Sequence, residues 1–81
     1  MFVTVRLFAR LREIAGVTEL RVDVPGGATV REAWTALALE HPELDAYSRS
    51  VSCAVNEDYA RMTAPLRDGD EVAFLPPVSG G

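Results

Sequence analysis

The sequence contains no lysine, one cysteine and one histidine. All eight cationic side chains are therefore arginine, and no ε-amino group can accept an isopeptide bond. The single cysteine, Cys53, cannot form an internal disulfide, which is typical of a protein of the reducing cytoplasm. With His41 as the only histidine, we expect no metal site built from clustered His and Cys ligands.

Long apolar runs are also missing: no stretch approaches the 18 residues of a membrane-spanning helix, and the N-terminus does not resemble a signal peptide. The net charge of −4 makes nucleic acid and an anionic membrane unlikely as partners on electrostatic grounds. The 81 residues, 48% of them hydrophobic, predict one small domain with a modest core.

Apolar residues that alternate at period two predict five strands. In the first of them Val3, Val5 and Leu7 share the inner face, whereas Arg6 and Phe8 point outward. The predicted strands cover residues 2–8, 19–24, 51–55, 59–62 and 71–75.

Helical spacing predicts a short helix over residues 9–15, with Gly16 as its C-cap. Thr29 and Glu32 form a capping-box pattern that begins the main helix, in which Trp34 is the largest core residue. The main helix should end near Glu40, and residues 44–47 are expected to form a further helical turn. This order of elements predicts an α+β fold, a sheet wrapped around one helix.

The body carries no evident catalytic group. Cys53 occupies an inward strand position typical of a buried, inert thiol, and His41 is expected at the surface where the main helix ends. Asp68, Asp70 and Glu71 lack the number and spacing of calcium ligands, so we interpret them as a solvated turn.

The last six residues are unusual. Pro76 and Pro77 follow the last strand and should end its pairing, and Val78 and Ser79 lead to the slender pair Gly80 and Gly81. The reactive group at the tip is the α-carboxylate of Gly81. The alternative is a frayed tail without a function.

Three outer-face residues, Phe8, Tyr59 and Leu75, are expected near the start of this tail. They would form an apolar patch, the docking patch, of the kind that often marks a partner site. The alternative is that Tyr59 covers Phe8 and Leu75 without any partner.

Several segments together resemble the ubiquitin-like sulfur carriers, in particular the branch of molybdopterin synthase small subunits. The resemblance covers essentially the whole chain. It rests on Phe8-Ala9-x-Leu11-Arg12-Glu13-x-Ala15-Gly16, Ala54-Val55-Asn56, Pro65-Leu66-x-Asp68-Gly69-Asp70-Glu71-Val72-Ala73-Phe74 and Pro76-Pro77-Val78-Ser79-Gly80-Gly81.

The resemblance implies a ubiquitin-like β-grasp fold over residues 1–75, a mixed sheet of about five strands packed on one main helix with one or two short helices, and a tail over residues 76–81. It also implies that an adenylating enzyme uses ATP and magnesium to activate Gly81. A sulfurtransferase as sulfur source would then convert Gly81 to a thiocarboxylate, while Gly80 permits passage through a narrow channel. The chain itself would bind no cofactor.

The implied partner is the large subunit of molybdopterin synthase, in a heterotetramer that adds sulfur to cyclic pyranopterin monophosphate to form the dithiolene. The chain would donate sulfur without being catalytic alone. Phe8, Tyr59 and Leu75, with Pro76, Pro77, Val78 and Ser79, would contact the partners. The alternatives are a carrier for thiazole or tRNA thiolation, a protein modifier conjugated through Gly81, and an interaction module with an incidental tail.

Overall fold

The structure, a computed structural model, describes residues 1–77. The predicted roles of Val78, Ser79, Gly80 and Gly81 therefore lie outside the described residues. The elements are strands β1 (Phe2–Leu7), β2 (Glu19–Asp23), β3 (Ser52–Val55), β4 (Asp58–Ala60) and β5 (Glu71–Leu75), helices α1 (Ala9–Ala15) and α2 (Val30–Glu40), and a 3₁₀ helix over Pro42–Tyr47.

The five strands form one mixed sheet in the order β2-β1-β5-β3-β4. β5 runs parallel to β1 and antiparallel to β3, whereas the two hairpins β1–β2 and β3–β4 are antiparallel. The first and last strands are therefore neighbours near the centre of the sheet, with β4 at one edge. This arrangement confirms the predicted fold class.

The core lies between one face of the sheet and α2. Alternation places Val3, Val5 and Leu7 of β1 inside, where each is at most 2% exposed. On α2 the residues at helical spacing, Val30, Ala33, Trp34 and Leu37, are buried against this face. Within residues 1–77 the sheet has no helical layer on its other face, and that open face carries the candidate site.

The helix ends follow the predicted signals. Gly16 takes the left-handed conformation, with φ of +77°, and its amide donates to the carbonyl oxygen of Arg12 at 2.8 Å. Thr29 and Glu32 form the capping box, in which the Thr29 amide donates to Glu32 Oε1 at 3.3 Å. These local signals mark the end of α1 and the beginning of α2.

The first strand is shorter than predicted. β1 ends at Leu7, and Phe8 is the extended N-cap of α1. The chain turns at Ala9, whose φ of +49° lies in the left-handed region. Phe8 therefore stands where the chain leaves the sheet.

The fourth strand was also predicted too far along the chain: it occupies Asp58–Ala60 rather than 59–62. The segment after it turns toward α2 instead. The carbonyl oxygens of Met62 and Ala64 accept hydrogen bonds from the amides of Arg31 and Val30, at 2.9 and 3.0 Å. These amides belong to the first turn of α2, where no partner within the helix is available. β2 and β3 each lose one predicted end residue, Val24 and Val51.

Candidate functional site

The open face of the sheet contains a row of directly opposed residues. Arg6 on β1 lies opposite Ala73 on β5, Ala73 opposite Ala54 on β3, and Ala54 opposite Tyr59 on β4. The two alanines in the middle have only methyl side chains, so their larger neighbours enclose a depression. This sheet cavity has a volume of about 230 Å³ and is lined by Arg6, Phe8, Ala54, Glu57, Tyr59, Glu71, Ala73 and Leu75.

The structure brings the three residues of the predicted docking patch together. Phe8, Tyr59 and Leu75 all line the sheet cavity. Phe8 and Leu75 are half-buried, and Tyr59 is 83% exposed. A tyrosine with that exposure does not cover the other two side chains. The docking patch is therefore an open apolar surface in the described part of the chain.

The rim of the cavity is charged, which the sequence interpretation missed. Arg6 Nη1 lies 3.6 Å from Glu71 Oε1, and the Arg6 guanidinium carbon lies 5.6 Å from the centre of the Phe8 ring. A guanidinium near an aromatic ring is attracted by the negative face of its π system. The signal was present in the sequence, because alternation puts Arg6 on the same face as Phe8.

The cavity adjoins the start of the tail. β5 delivers Leu75 to its rim, and the chain continues through half-buried Pro76 and exposed Pro77. The pairing of Leu7 with Phe74 is the last between β1 and β5, so the chain leaves the sheet beside Phe8. A protein that covers the docking patch would thus also meet the root of the tail.

The turn before β5 is held by side-chain hydrogen bonds. The Asp70 carboxylate accepts from the Arg67 amide at 2.8 Å and from Asn56 Nδ2 at 3.0 Å. Asn56 Oδ1 in turn accepts from the Glu71 amide at 3.0 Å. This turn is more than the solvated loop we expected, because it ties the start of β5 to the β3–β4 hairpin.

The two remaining candidate groups, Cys53 and His41, do not line the sheet cavity. Cys53 is buried and its Sγ donates to the carbonyl oxygen of Ala60 at 3.1 Å, and burial raises the pKa of the thiol. This confirms the predicted buried thiol. His41 is half-buried at the end of α2. Among residues 1–77 there is no cluster of three metal-ligating side chains, and no helix is long and apolar enough to span a membrane.

The model of the ThiS family matches residues 5–81. The molybdopterin synthase sulfur carrier subunit of Arabidopsis thaliana is 39% identical over 79 residues, which are 98% of this chain and 82% of that protein.

Two solved structures are also similar. The crystal structure of small archaeal modifier protein 1 from Haloferax volcanii has a TM-score of 0.86 and 38% identity, with all of both chains covered. A chain in the complex of subunits 1 and 2 of the molybdopterin-converting factor from Helicobacter pylori has a TM-score of 0.68 and 28% identity, again with all of both chains covered. These similarities confirm the β-grasp architecture.

Proposed function

The chain belongs to the ThiS family, and from this premise we propose that it is the sulfur carrier subunit of a cytoplasmic molybdopterin synthase. Similarity to sulfur carrier subunits supports this function, because one of them matches 98% of this chain. The observation that carries the proposal is geometric. The central strand β5 leads out of the sheet at the rim of an open apolar cavity, so a partner can hold the body and receive the tail together.

In this proposal the α-carboxylate of Gly81 is the group that is activated and that carries the sulfur. A carboxylate is a poor electrophile, so an adenylating enzyme first lets a carboxylate oxygen attack the α-phosphorus of ATP. Pyrophosphate leaves, and the resulting acyl-adenylate carries AMP as a good leaving group. A sulfur donor then displaces AMP, and the product is a thiocarboxylate, a soft sulfur nucleophile. The large subunit uses this sulfur to build the dithiolene of molybdopterin. ATP and magnesium act in the adenylating enzyme, and the carrier binds neither.

The docking patch and the prolines supply the binding. Phe8, Leu75 and Tyr59 offer apolar area next to the tail, and covering such area is the main source of association free energy. Pro76 and Pro77 restrict the backbone, which lowers the entropy lost when the tail is ordered in a partner. Because one patch serves both the adenylating enzyme and the large subunit, these two partners bind in turn.

Intact-mass measurement tests the proposal. The chain is incubated with its adenylating enzyme, ATP, magnesium and sulfide, and the expected product is heavier by the difference between one sulfur and one oxygen atom. A variant with one alanine added after Gly81 is the control, and it should remain unmodified although its fold is intact. Activation of the extended variant, or an unchanged mass of the wild-type chain, would contradict the proposal.

A second step tests the assignment to molybdopterin synthase. The thiocarboxylated chain is mixed with the large subunit, and conversion of cyclic pyranopterin monophosphate to molybdopterin is measured. We expect two small subunits per heterotetramer, because two sulfur atoms enter each product. Thiocarboxylation without this conversion would instead favour a carrier for thiazole or tRNA thiolation.

A protein modifier is the second candidate, favoured by the 40% identity with small archaeal modifier protein 1 over 94% of this chain. In that case the Gly81 carboxylate would form an amide bond with a lysine of another protein. The mass experiment separates the two functions when a cell extract is added, because conjugation adds the mass of a whole protein. If the mass is unchanged in both conditions, the remaining alternative is an interaction module with an incidental tail.

A further inference from the structure

A second cavity adjoins the docking patch. It has a volume of about 340 Å³ and lies between β1, α1 and the start of β2. It shares Arg6 and Phe8 with the sheet cavity, so the two cavities are neighbours. We call it the arginine cavity, and it is lined by Arg6, Leu7, Phe8, Arg12, Thr18 and Glu19.

The backbone holds this cavity in shape. The Leu7 amide donates to the carbonyl oxygen of Thr18 at 2.9 Å, which fixes the segment before β2 against the end of β1. Arg12 lies in the last turn of α1, one turn before the Gly16 cap. The two arginines thus project from elements whose relative position is set by hydrogen bonds.

The charges around the cavity are unevenly paired. Arg6 Nη1 lies 3.6 Å from Glu71 Oε1, and Arg6 is the register partner of Glu19 across β1 and β2. Glu13, the nearest acid in sequence to Arg12, is bonded to Arg10 at 3.1 Å. Within residues 1–77, Arg12 forms no ion pair. The lining itself contains two arginines and one glutamate, so it carries one surplus positive charge.

Docking would make this surplus costly. A partner that covers Phe8 also removes water from the adjoining cavity, and a desolvated guanidinium without an anion is unfavourable. The arginine fork matches a carboxylate with two parallel hydrogen bonds. One surplus positive charge is balanced by one carboxylate. A triphosphate carries several negative charges, and most of them would stay uncompensated in this cavity.

We propose that the arginine cavity receives one aspartate or glutamate side chain of the large subunit, which pairs with Arg12 next to Phe8. This inference rests on the proposed function and deepens it, because it states the chemistry of the partner surface. Arg12 then determines partner specificity, and the docking patch supplies apolar contact.

Binding of the large subunit to charge variants tests the inference. R12E should weaken binding by about thirtyfold, and R12K should retain part of the affinity. The matched control is R31E, which changes the net charge equally at an exposed position on α2. We expect R31E to stay within about twofold of wild type, because an exposed distant charge is screened. Equal losses in R12E and R31E, or no loss in R12E, would overturn the inference.

Two further measurements identify the anion. An arginine placed at the matching acidic residue of the large subunit should restore binding to R12E, and failure of all such reversals would overturn the inference. NMR titration of the free chain with inorganic phosphate should leave Arg12 and Thr18 unshifted, whereas saturable shifts there would assign the cavity to a free anion instead. The two proposals can fail independently. The intact-mass assay of the wild type tests the sulfur-carrier function, and binding of R12E to the large subunit tests the role of the arginine cavity.

Discussion

The indole ring of Trp34 meets the ring of Phe74 edge to face, with centroids 4.9 Å apart and an interplanar angle of 61°. This contact joins α2 to the central strand β5, and both residues are almost fully buried. The Trp34 Nε1 also donates to Ser48 Oγ at 2.8 Å, which links the helix to the segment after the 3₁₀ helix. The strand that leads to the tail is thus packed directly on the main helix.

The first prediction concerns this contact. F74L should lower the free energy of unfolding by about 1–2 kcal/mol, because it removes the aromatic pair and leaves space in the core. Chemical denaturation measures the change. L39A is the control: Leu39 is 78% exposed, and its truncation should cost less than about 0.5 kcal/mol. Equal effects of the two substitutions would contradict this account of the core.

The second prediction concerns the turn before β5. D70A removes the acceptor of the Arg67 amide and of Asn56 Nδ2, so we expect a loss of about 1–3 kcal/mol in unfolding free energy. Thermal unfolding and amide exchange at Glu71 measure it. The control is E43A, at an exposed acidic position in the 3₁₀ helix, and it should leave the free energy of unfolding unchanged. A neutral D70A would show that the turn is held by the backbone alone.

The third prediction concerns the β3–β4 hairpin. Asn56 and Glu57 both have positive φ, +49° and +74°, as the two central residues of a type I′ turn require. E57G should raise the free energy of unfolding by about 0.5–1 kcal/mol, because the left-handed conformation is strained in a residue with a side chain. D58G, one residue on in β4, should lower it. The opposite order of the two variants would contradict the strain.

The fourth prediction concerns the sheet cavity. A73L replaces the small residue at the floor with one that fills the depression, and it should weaken binding of both the adenylating enzyme and the large subunit about tenfold or more. Calorimetric titration with each partner measures this. T35L adds an apolar side chain at an exposed position on α2 and should change neither affinity. Wild-type affinity in A73L would remove the cavity from the docking surface.

Local patterns predicted most of the fold. Alternation assigned Val3 and Val5 to the core, where they are 1% and 0% exposed. The Gly16 cap and the capping box were equally local, since each is formed by residues within a few positions of one another. These features follow from backbone geometry and short-range hydrogen bonds, which a sequence displays directly.

Tertiary relationships could not be predicted in the same way. The bond between Asn56 and Asp70 spans 14 residues and has no periodic signature. β4 ends early because the chain after it turns toward α2, where its carbonyl oxygens accept hydrogen bonds from the first-turn amides. For the site, the residues of the docking patch were predicted, but the depression requires Ala73 and Ala54 to be opposed across two strands, and that register was not evident in the sequence.

The position of β5 has a mechanical consequence. Among residues 1–77 it is the strand that joins the hairpins β1–β2 and β3–β4. A pull along the axis of β5 shears its hydrogen bonds to β1 and β3 and does not open them one at a time. The bonds to both neighbours then share the load at once, so both hairpins resist a pull in this direction.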